Sequence, residues 1–188
     1  MRRLVVFNNV SLDGYFVDRN GDMSWAHNTN PDPEWDAFGA ENAKGGGILL
    51  FGRVTYQLMA GYWPTPLAAQ NDPIVAEQMN ALPKVVFSRT LEQASWGHTT
   101  LLKGDLAEEV RKLKQAPGKD MAVLGSGSVV SQLAQEALVD EFQLVVNPVV
   151  LGAGRTLFDG IGEKLALKLT KTRAFRNGNV LLCYEPMW

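Results

Sequence analysis

The chain has 188 residues, 46% apolar and 20% charged, with 18 Gly and 9 Pro, which is the make-up of an ordinary globular chain long enough for one sizeable core. Eighteen basic against twenty acidic residues leave a formal charge of −2, so the basic surplus that a non-specific nucleic-acid binder needs is missing. One cysteine, Cys183, excludes an intrachain disulfide and a Cys-rich zinc site, and two histidines, His27 and His98, argue against a His-based metal site.

Leu4-Val5-Val6-Phe7 is a continuous apolar run, as expected of a strand covered on both faces. It is too short for a signal peptide or a spanning helix, so the chain reads as cytoplasmic and without a membrane segment. Residues 11–31 are polar and rich in Gly, Asn and Asp, and they read as a long loop of the functional kind. Asp32-Pro33 starts a helix expected to run to about Lys44, where Gly45-Gly46-Gly47 ends it. Ile48 to Phe51 is a second buried strand, and Arg53 to Ala60 a helix. Val85-Val86-Phe87 is a third strand, and a short one follows near Thr99–Leu102. Asp105 to Gln115 is amphipathic, with Leu106, Val110 and Leu113 on one face and a capping-box spacing from Asp105 to Glu108.

Met121 to Leu124 is the next buried strand. The helix after it places Val129, Val130, Leu133 and Ala137 inward. Phe142 to Leu151 is strand-like and broken by Pro148. Leu165–Phe175 and Val180–Tyr184 flank Asn177-Gly178, a strong hairpin signal. Strand–helix alternation with a terminal hairpin predicts one domain over 1–188. It is an α/β three-layer α/β/α sandwich, its sheet mostly parallel with an antiparallel edge.

Two turns carry chemistry. In Phe51-Gly52-Arg53-Val54-Thr55 a strand ends where a helix begins. A helix N-terminus offers free N–H groups and a positive dipole end to a phosphate, Arg53 a fixed charge and Thr55 a hydroxyl. Leu124-Gly125-Ser126-Gly127-Ser128-Val129 is the second, neither a P-loop nor a complete G-x-G-x-x-G. Each alone also reads as an ordinary glycine turn. Both lie at carboxyl ends of strands, where open α/β sheets bind ligands. Ser88-Arg89 after the third strand suits a 2′-phosphate, or is a plain loop. Asp36 shares a helical face with Gly39, Ala40 and Ala43, which leaves its carboxylate room to enter a cavity; the plainer reading is an acidic helix start. Trp25, Trp35 and Trp63 either line a flat ligand or belong to the core.

Taken together, the motifs Ser11-Leu12-Asp13-Gly14, Gly52-Arg53-Val54-Thr55-Tyr56 and Ser88-Arg89-Thr90 resemble the dihydrofolate reductase-like superfamily. So do Leu124 to Ser128 with Gln132, Leu138-Val139-Asp140-Glu141 and Pro148 to Gly154. Their order is most similar to the reductase domain of the bacterial bifunctional riboflavin-biosynthesis protein and its stand-alone relatives, over nearly the whole chain. The resemblance implies an NADPH-dependent reductase. By it, Gly52, Arg53 and Thr55 hold cofactor phosphates, and Ser88 and Arg89 meet the 2′-phosphate. Gly125, Ser126, Gly127, Ser128 and Val129 wrap the pyrophosphate and the nicotinamide side, in a turn that often contains a cis peptide in the family. Backbone near Asn9 and Phe16 grips the nicotinamide amide, and residues 13–25 match a mobile loop over it. Asp36 falls at the spacing of the substrate carboxylate of dihydrofolate reductases, with Trp25 or Trp35 beside it.

The expected activity is hydride transfer to a pyrimidine- or pteridine-like heterocycle, of the 5-amino-6-(5-phosphoribosylamino)uracil reductase type. Folate or pterin reduction is the alternative within that class, and a non-catalytic NADPH-binding sensor the alternative outside it. The zinc deaminase half of the bifunctional enzyme is missing, because H-x-E and C-x-x-C do not occur. No metal, nucleic acid or membrane partner is expected, and the resemblance implies a homodimer.

Overall fold

A computed structural model describes residues 1–27 and 30–188. The order of elements is β1 (Leu4–Ser11), β2 (Tyr15–Asp18), a 3₁₀ turn (Ser24–Ala26), α1 (Pro33–Lys44), β3 (Ile48–Gly52), α2 (Arg53–Tyr62), α3 (Pro66–Asn71), α4 (Pro73–Ala81) and β4 (Lys84–Phe87). Then come β5 (Thr99–Leu102), α5 (Leu106–Gln115), β6 (Met121–Leu124), α6 (Gly127–Gln135), β7 (Glu141–Asn147), β8 (Gly154–Thr156), β9 (Leu167–Ala174) and β10 (Val180–Pro186).

Eight strands form one sheet in the order β5-β4-β3-β6-β1-β7-β10-β9. The first six in that order are parallel, and β10 pairs antiparallel with both β7 and β9. This is the expected mostly parallel α/β sheet closed by a hairpin. Leu50, Val85, Val123, Val6 and Phe142 share one core with Val110 of α5 and Val130 and Leu133 of α6. The opposite face carries Leu49, Phe51 and Val86 against Tyr56 of α2 and Met79 of α4. Farther along that face, Trp35 and Phe38 of α1 cover Phe7, Val145, Leu181 and Cys183. Helices therefore cover both faces, and the apolar runs read from the sequence are apolar because both sides of each strand are buried.

The helix signals act as their chemistry requires. Asp32 caps α1 by accepting from the N–H of Glu34 and of Trp35, and Pro33 takes the first helical position. Asp105 caps α5 by accepting from the N–H of Glu108 at 3.0 Å. Thr65-Pro66 opens α3 with the same cap and proline, the Thr65 hydroxyl accepting from the Ala68 N–H, and Asp72-Pro73 opens α4 with the proline but no side-chain cap bond, a signal the sequence reading passed over.

Three expectations need correction. The 11–31 segment, of which residues 28 and 29 lie outside the described residues, is not one loop: β2 pairs antiparallel with β8. Ala137 does not face inward. It is exposed beyond the end of α6 with φ 52°, and Ala134 takes the buried position. The 142–151 strand stops at Asn147, because Pro148 has no N–H to continue a ladder.

Candidate functional site at the carboxyl edge of the sheet

Neighbouring parallel strands β3 and β6 send their helices to opposite faces, α2 to one and α6 to the other. By topology, that reversal marks the crevice position beyond their carboxyl ends, the place where open α/β sheets take ligands. Both helices begin there without a side-chain cap, so no capping side chain claims their first N–H groups. The two turns touch. A Cβ on Gly125 would stand 2.6 Å from Cγ2 of buried Thr55, and one on Gly52 would stand 3.1 Å from Cγ2 of Val129. The approach at Gly125, whose φ is 69°, requires glycine, and the one at Gly52 is tight for a Cβ.

Asn8, buried at β1, holds the second turn from behind. Its side-chain oxygen accepts from the Gly125 N–H at 3.2 Å while its nitrogen donates to the Phe7 carbonyl at 3.0 Å. Ser126 follows with φ 66° and ψ 90°, a left-handed conformation unusual outside glycine. Its carbonyl accepts from the N–H groups of Val129 and Val130, and its hydroxyl lies 3.3 Å from that of exposed Ser128. The described peptide bonds are all trans. Gly127 is packed on its other side, where a Cβ would meet Cε1 of Phe16 and the carbonyl of Thr156, both at 3.1 Å. Phe16 thus lines the turn from β2.

The basic end of the crevice lies toward β4. Arg53 is exposed, and its Nη1 donates to Oε1 of Gln57 at 3.1 Å. Ser88 uses its oxygen to accept from the N–H groups of Thr90 and Leu91, at 3.2 and 2.9 Å, and its hydroxyl lies 3.4 Å from that of Thr90. Arg89 beside it is exposed. The Ser88 N–H donates to the carbonyl of Leu102 at 3.0 Å, the last residue of β5, so exposed Lys103 flanks the same turn. Sequence reading missed Lys103, because only the β4–β5 pairing brings it beside Ser88. A separate cleft of about 280 Å³ runs along the flank of α2, between Tyr56, Gln57 and Ala60 and the loop carrying Leu91, Gln93 and Ser95.

At the other end, partly buried Asn9 accepts from Nδ2 of buried Asn147 at 3.1 Å, tying β1 to β7. Asp13 joins the same two strands' loops. Its carboxylate accepts from the Ser11 hydroxyl at 2.7 Å and from the N–H groups of Leu151 at 3.1 Å and Gly152 at 2.8 Å. The Ser11 hydroxyl bond, followed by the two backbone donors, holds this exposed carboxyl below its ordinary value of 3.8.

Asp36 does not meet its expectation. It is exposed on α1, because α1 turns Trp35 and Phe38 to the sheet. Trp35 is committed to an aromatic cluster, edge-on to Phe175 at 5.1 Å and 5.6 Å from Phe38, so it is a packing residue rather than a pocket wall. The buried carboxylate of this region is Asp32, whose second oxygen accepts from the Asn177 N–H at 3.1 Å. Burial pushes its pKa up, but the N–H groups of Asn177, Trp35 and Glu34 outweigh that and hold it below 3.8. Trp25 is partly buried in the 3₁₀ turn, where its Nε1 donates to the Asp22 carbonyl at 3.1 Å. Trp63 belongs to the core beside α2. Among the described residues no cluster of His, Cys, Asp and Glu could hold a metal, and no helix is long and apolar enough to cross a membrane.

A doubly covered sheet with a glycine-built crevice at a switch point is the dihydrofolate reductase-like α/β architecture. Solved structures agree: a dihydrofolate reductase from Enterococcus faecalis complexed with NADP(H) and RAB-propyl aligns over 98% of this chain and 96% of its own, with a TM-score of 0.61 and 16% identity. The chain belongs to the RibD C-terminal domain family, whose pattern matches residues 2–181. A Shewanella sp. PV-4 structure, provisionally described as a riboflavin biosynthesis protein, covers 99% of each chain with a TM-score of 0.75 and 23% identity. In sequence the chain is 32% identical over 184 residues, 98% of its length and 95% of the relative's, to the uncharacterized Bacillus subtilis protein YyaP.

Proposed function

We propose that the chain is an NADPH-dependent reductase that transfers hydride to a pyrimidine- or pteridine-like heterocycle, of the uracil reductase type found in riboflavin biosynthesis. The observation that carries this reading is the crevice between β3 and β6. There two uncapped helix N-termini meet at glycine turns, with Arg53, Ser88-Arg89 and Lys103 toward β4. These residues fit a 2′-phosphorylated dinucleotide. The first N–H groups of α2 and α6 and the Thr55 hydroxyl suit a pyrophosphate. The cations and the Ser88 hydroxyl suit a further phosphate. The edge near Asn9 and Phe16 is left for the nicotinamide. When bound, the cofactor supplies a hydride.

Membership in the RibD C-terminal domain family and the likeness to a structure tied to riboflavin biosynthesis support the pyrimidine side, and the likeness to a dihydrofolate reductase holding NADP(H) supports the cofactor. Exposure of Asp36 weighs against pterin reduction by a buried carboxylate. The chain's parts in the reaction are to orient and to exclude water. Asn9, Phe16 and the Gly125–Gly127 turn shape the wall, and the β1–β2 region covers it. A homodimer, common among such domains, belongs to the same proposal.

The test is fluorescence titration with NADPH and NADH, followed by NADPH oxidation assays with aminopyrimidine ribosides, their phosphates and dihydrofolate. Tighter NADPH binding and turnover with a pyrimidine are expected. Turnover confined to dihydrofolate overturns the substrate class. Binding without any turnover favours a sensor, and equal weak binding of both cofactors overturns the cofactor reading.

A further inference from the structure

β2 and β8 form a two-stranded sheet of four and three residues. A ribbon that short is at best marginal by its own ladder, yet it delivers Phe16 and Val17 into the core at 3% and 2% exposure. It also sets Phe16 against Gly127, in the turn that opens α6. Something else must fix it, and the fixing contacts converge on the four-residue segment Ser11 to Gly14. The Leu12 N–H donates to the Val149 carbonyl at 2.8 Å. The Ser11 hydroxyl accepts from the Tyr15 N–H at 2.9 Å and donates to Asp13 at 2.7 Å. Asp13 then takes two consecutive N–H groups, one on each oxygen: Leu151 on Oδ1 and Gly152 on Oδ2.

A single carboxylate thus clamps the loop leaving β1 to the loop leaving β7, at the crevice end away from the cations. We infer that Asp13 is the positioning residue for the nicotinamide half of the site: by holding the 149–152 loop it sets the β2–β8 ribbon, and through Phe16 it sets the wall at Gly127. The inference rests on the reading of this edge as a dinucleotide site. Asp13 is exposed, so it fills no core. A carboxylate is needed because its two oxygens both accept. An amide of the same shape presents one oxygen and one N–H₂, which faces a second N–H donor with another donor. The basic end around Arg53, Ser88 and Lys103 shares none of these contacts, so the two halves of the site are separable.

The separation supplies the experiment. Wild type and Asp13→Asn are titrated with NADPH and with 2′,5′-ADP, a probe that carries the phosphorylated adenosine but no nicotinamide. In the variant the NADPH dissociation constant should rise about tenfold, because cofactor binding must then order a loop that has lost its charge-assisted clamp, while that of 2′,5′-ADP stays within about twofold. Equal changes for both probes, or none for either, overturn the inference and leave the dinucleotide reading standing. A wild type that binds neither probe overturns both. Hydrogen exchange on the wild type alone gives a second readout should the variant fail to fold. The Leu151 and Gly152 amides should gain protection with NADPH and not with 2′,5′-ADP, and protection that is the same with both overturns the inference.

Discussion

Gly52 and Ser126 meet across the base of the crevice: a Cβ on Gly52 would lie 2.3 Å from Oγ of Ser126 and 2.8 Å from its Cβ. The contact packs the start of α2 directly against Ser126, the N-cap residue of α6. Ser126 reaches this place only by adopting φ 66°, a strain that L-residues other than Asn and Asp rarely carry.

Gly52→Ala should therefore destabilise the protein by about 1–3 kcal/mol, as overpacking does. In a Ser126→Gly background the same change should cost less than half as much, since the colliding hydroxyl is gone. Urea unfolding of the two single variants and the double variant measures the coupling. Additive effects would mean that the two residues do not share the contact.

The exposed cations should govern cofactor choice. Arg53→Ala and Arg89→Ala, and Lys103→Ala with them, should each raise the NADPH dissociation constant about tenfold, the loss expected when one charge-assisted phosphate contact goes. NADH binding should change little, because it lacks the 2′-phosphate. Titration of both cofactors at fixed salt decides this, and parallel losses for both would place the cations on the pyrophosphate instead.

Asp32 and Asp36 should behave in opposite ways. Asp32→Asn should lower the melting temperature by several degrees: Asn can keep the α1 cap through its one oxygen, but its N–H₂ then faces the Asn177 N–H, donor against donor. Its carboxyl is held below 3.8 in the folded protein. The stability it adds is thus present above pH 3.8 and lost as pH falls through the lower folded value, and the variant should lack this acid dependence. Asp36→Asn should leave both melting and NADPH affinity unchanged, as for an exposed residue outside the crevice. A large loss of turnover in Asp36→Asn would restore Asp36 to the mechanism.

Lys84 should give stability an alkaline slope. Its ammonium is buried, donating to the carbonyls of Asn80, Leu82 and Gly97 at 3.1, 2.7 and 3.1 Å, with the Trp96 ring 4.5 Å away. Burial lowers its pKa from 10.5 to about 8. Between those values the unfolded chain binds more protons than the folded one, so this group's contribution to stability rises as pH climbs from 8 toward 10.5. Relative to Lys84→Met, wild type should gain unfolding free energy across that window. A pH-independent difference would mean that the three carbonyls hold the ammonium charged throughout.

Much of the fold was legible along the chain because it rests on local signals. Four-residue apolar runs mark strands buried on both faces, Asp32-Pro33 and Asp105 mark helix starts, and Asn177-Gly178 marks the hairpin between β9 and β10. Gly52 and Gly125 to Gly127 were legible as turns for the same reason. The β2–β8 pairing was not, since its partners lie more than 130 residues apart and each is too short to show a period. Asp36 was misread because helical spacing says which residues share a face, not which face meets the sheet. Trp35 and Phe38 decided that by packing on Phe175.

By itself the sequence determined the class of fold and where along the chain its two strand-to-helix glycine turns lie, because strand burial, helix capping and glycine turns are set by residues within a few positions of one another. Only the tertiary structure decided that the two turns touch through Gly52 and Ser126, that Lys103 joins Ser88-Arg89, that Asp13 clamps Leu151 and Gly152, and that Asp32 rather than Asp36 is the buried carboxylate. The reason is physical. Each of these depends on which strands lie side by side and which helix covers which face, and that order is chosen by packing between residues far apart in the chain.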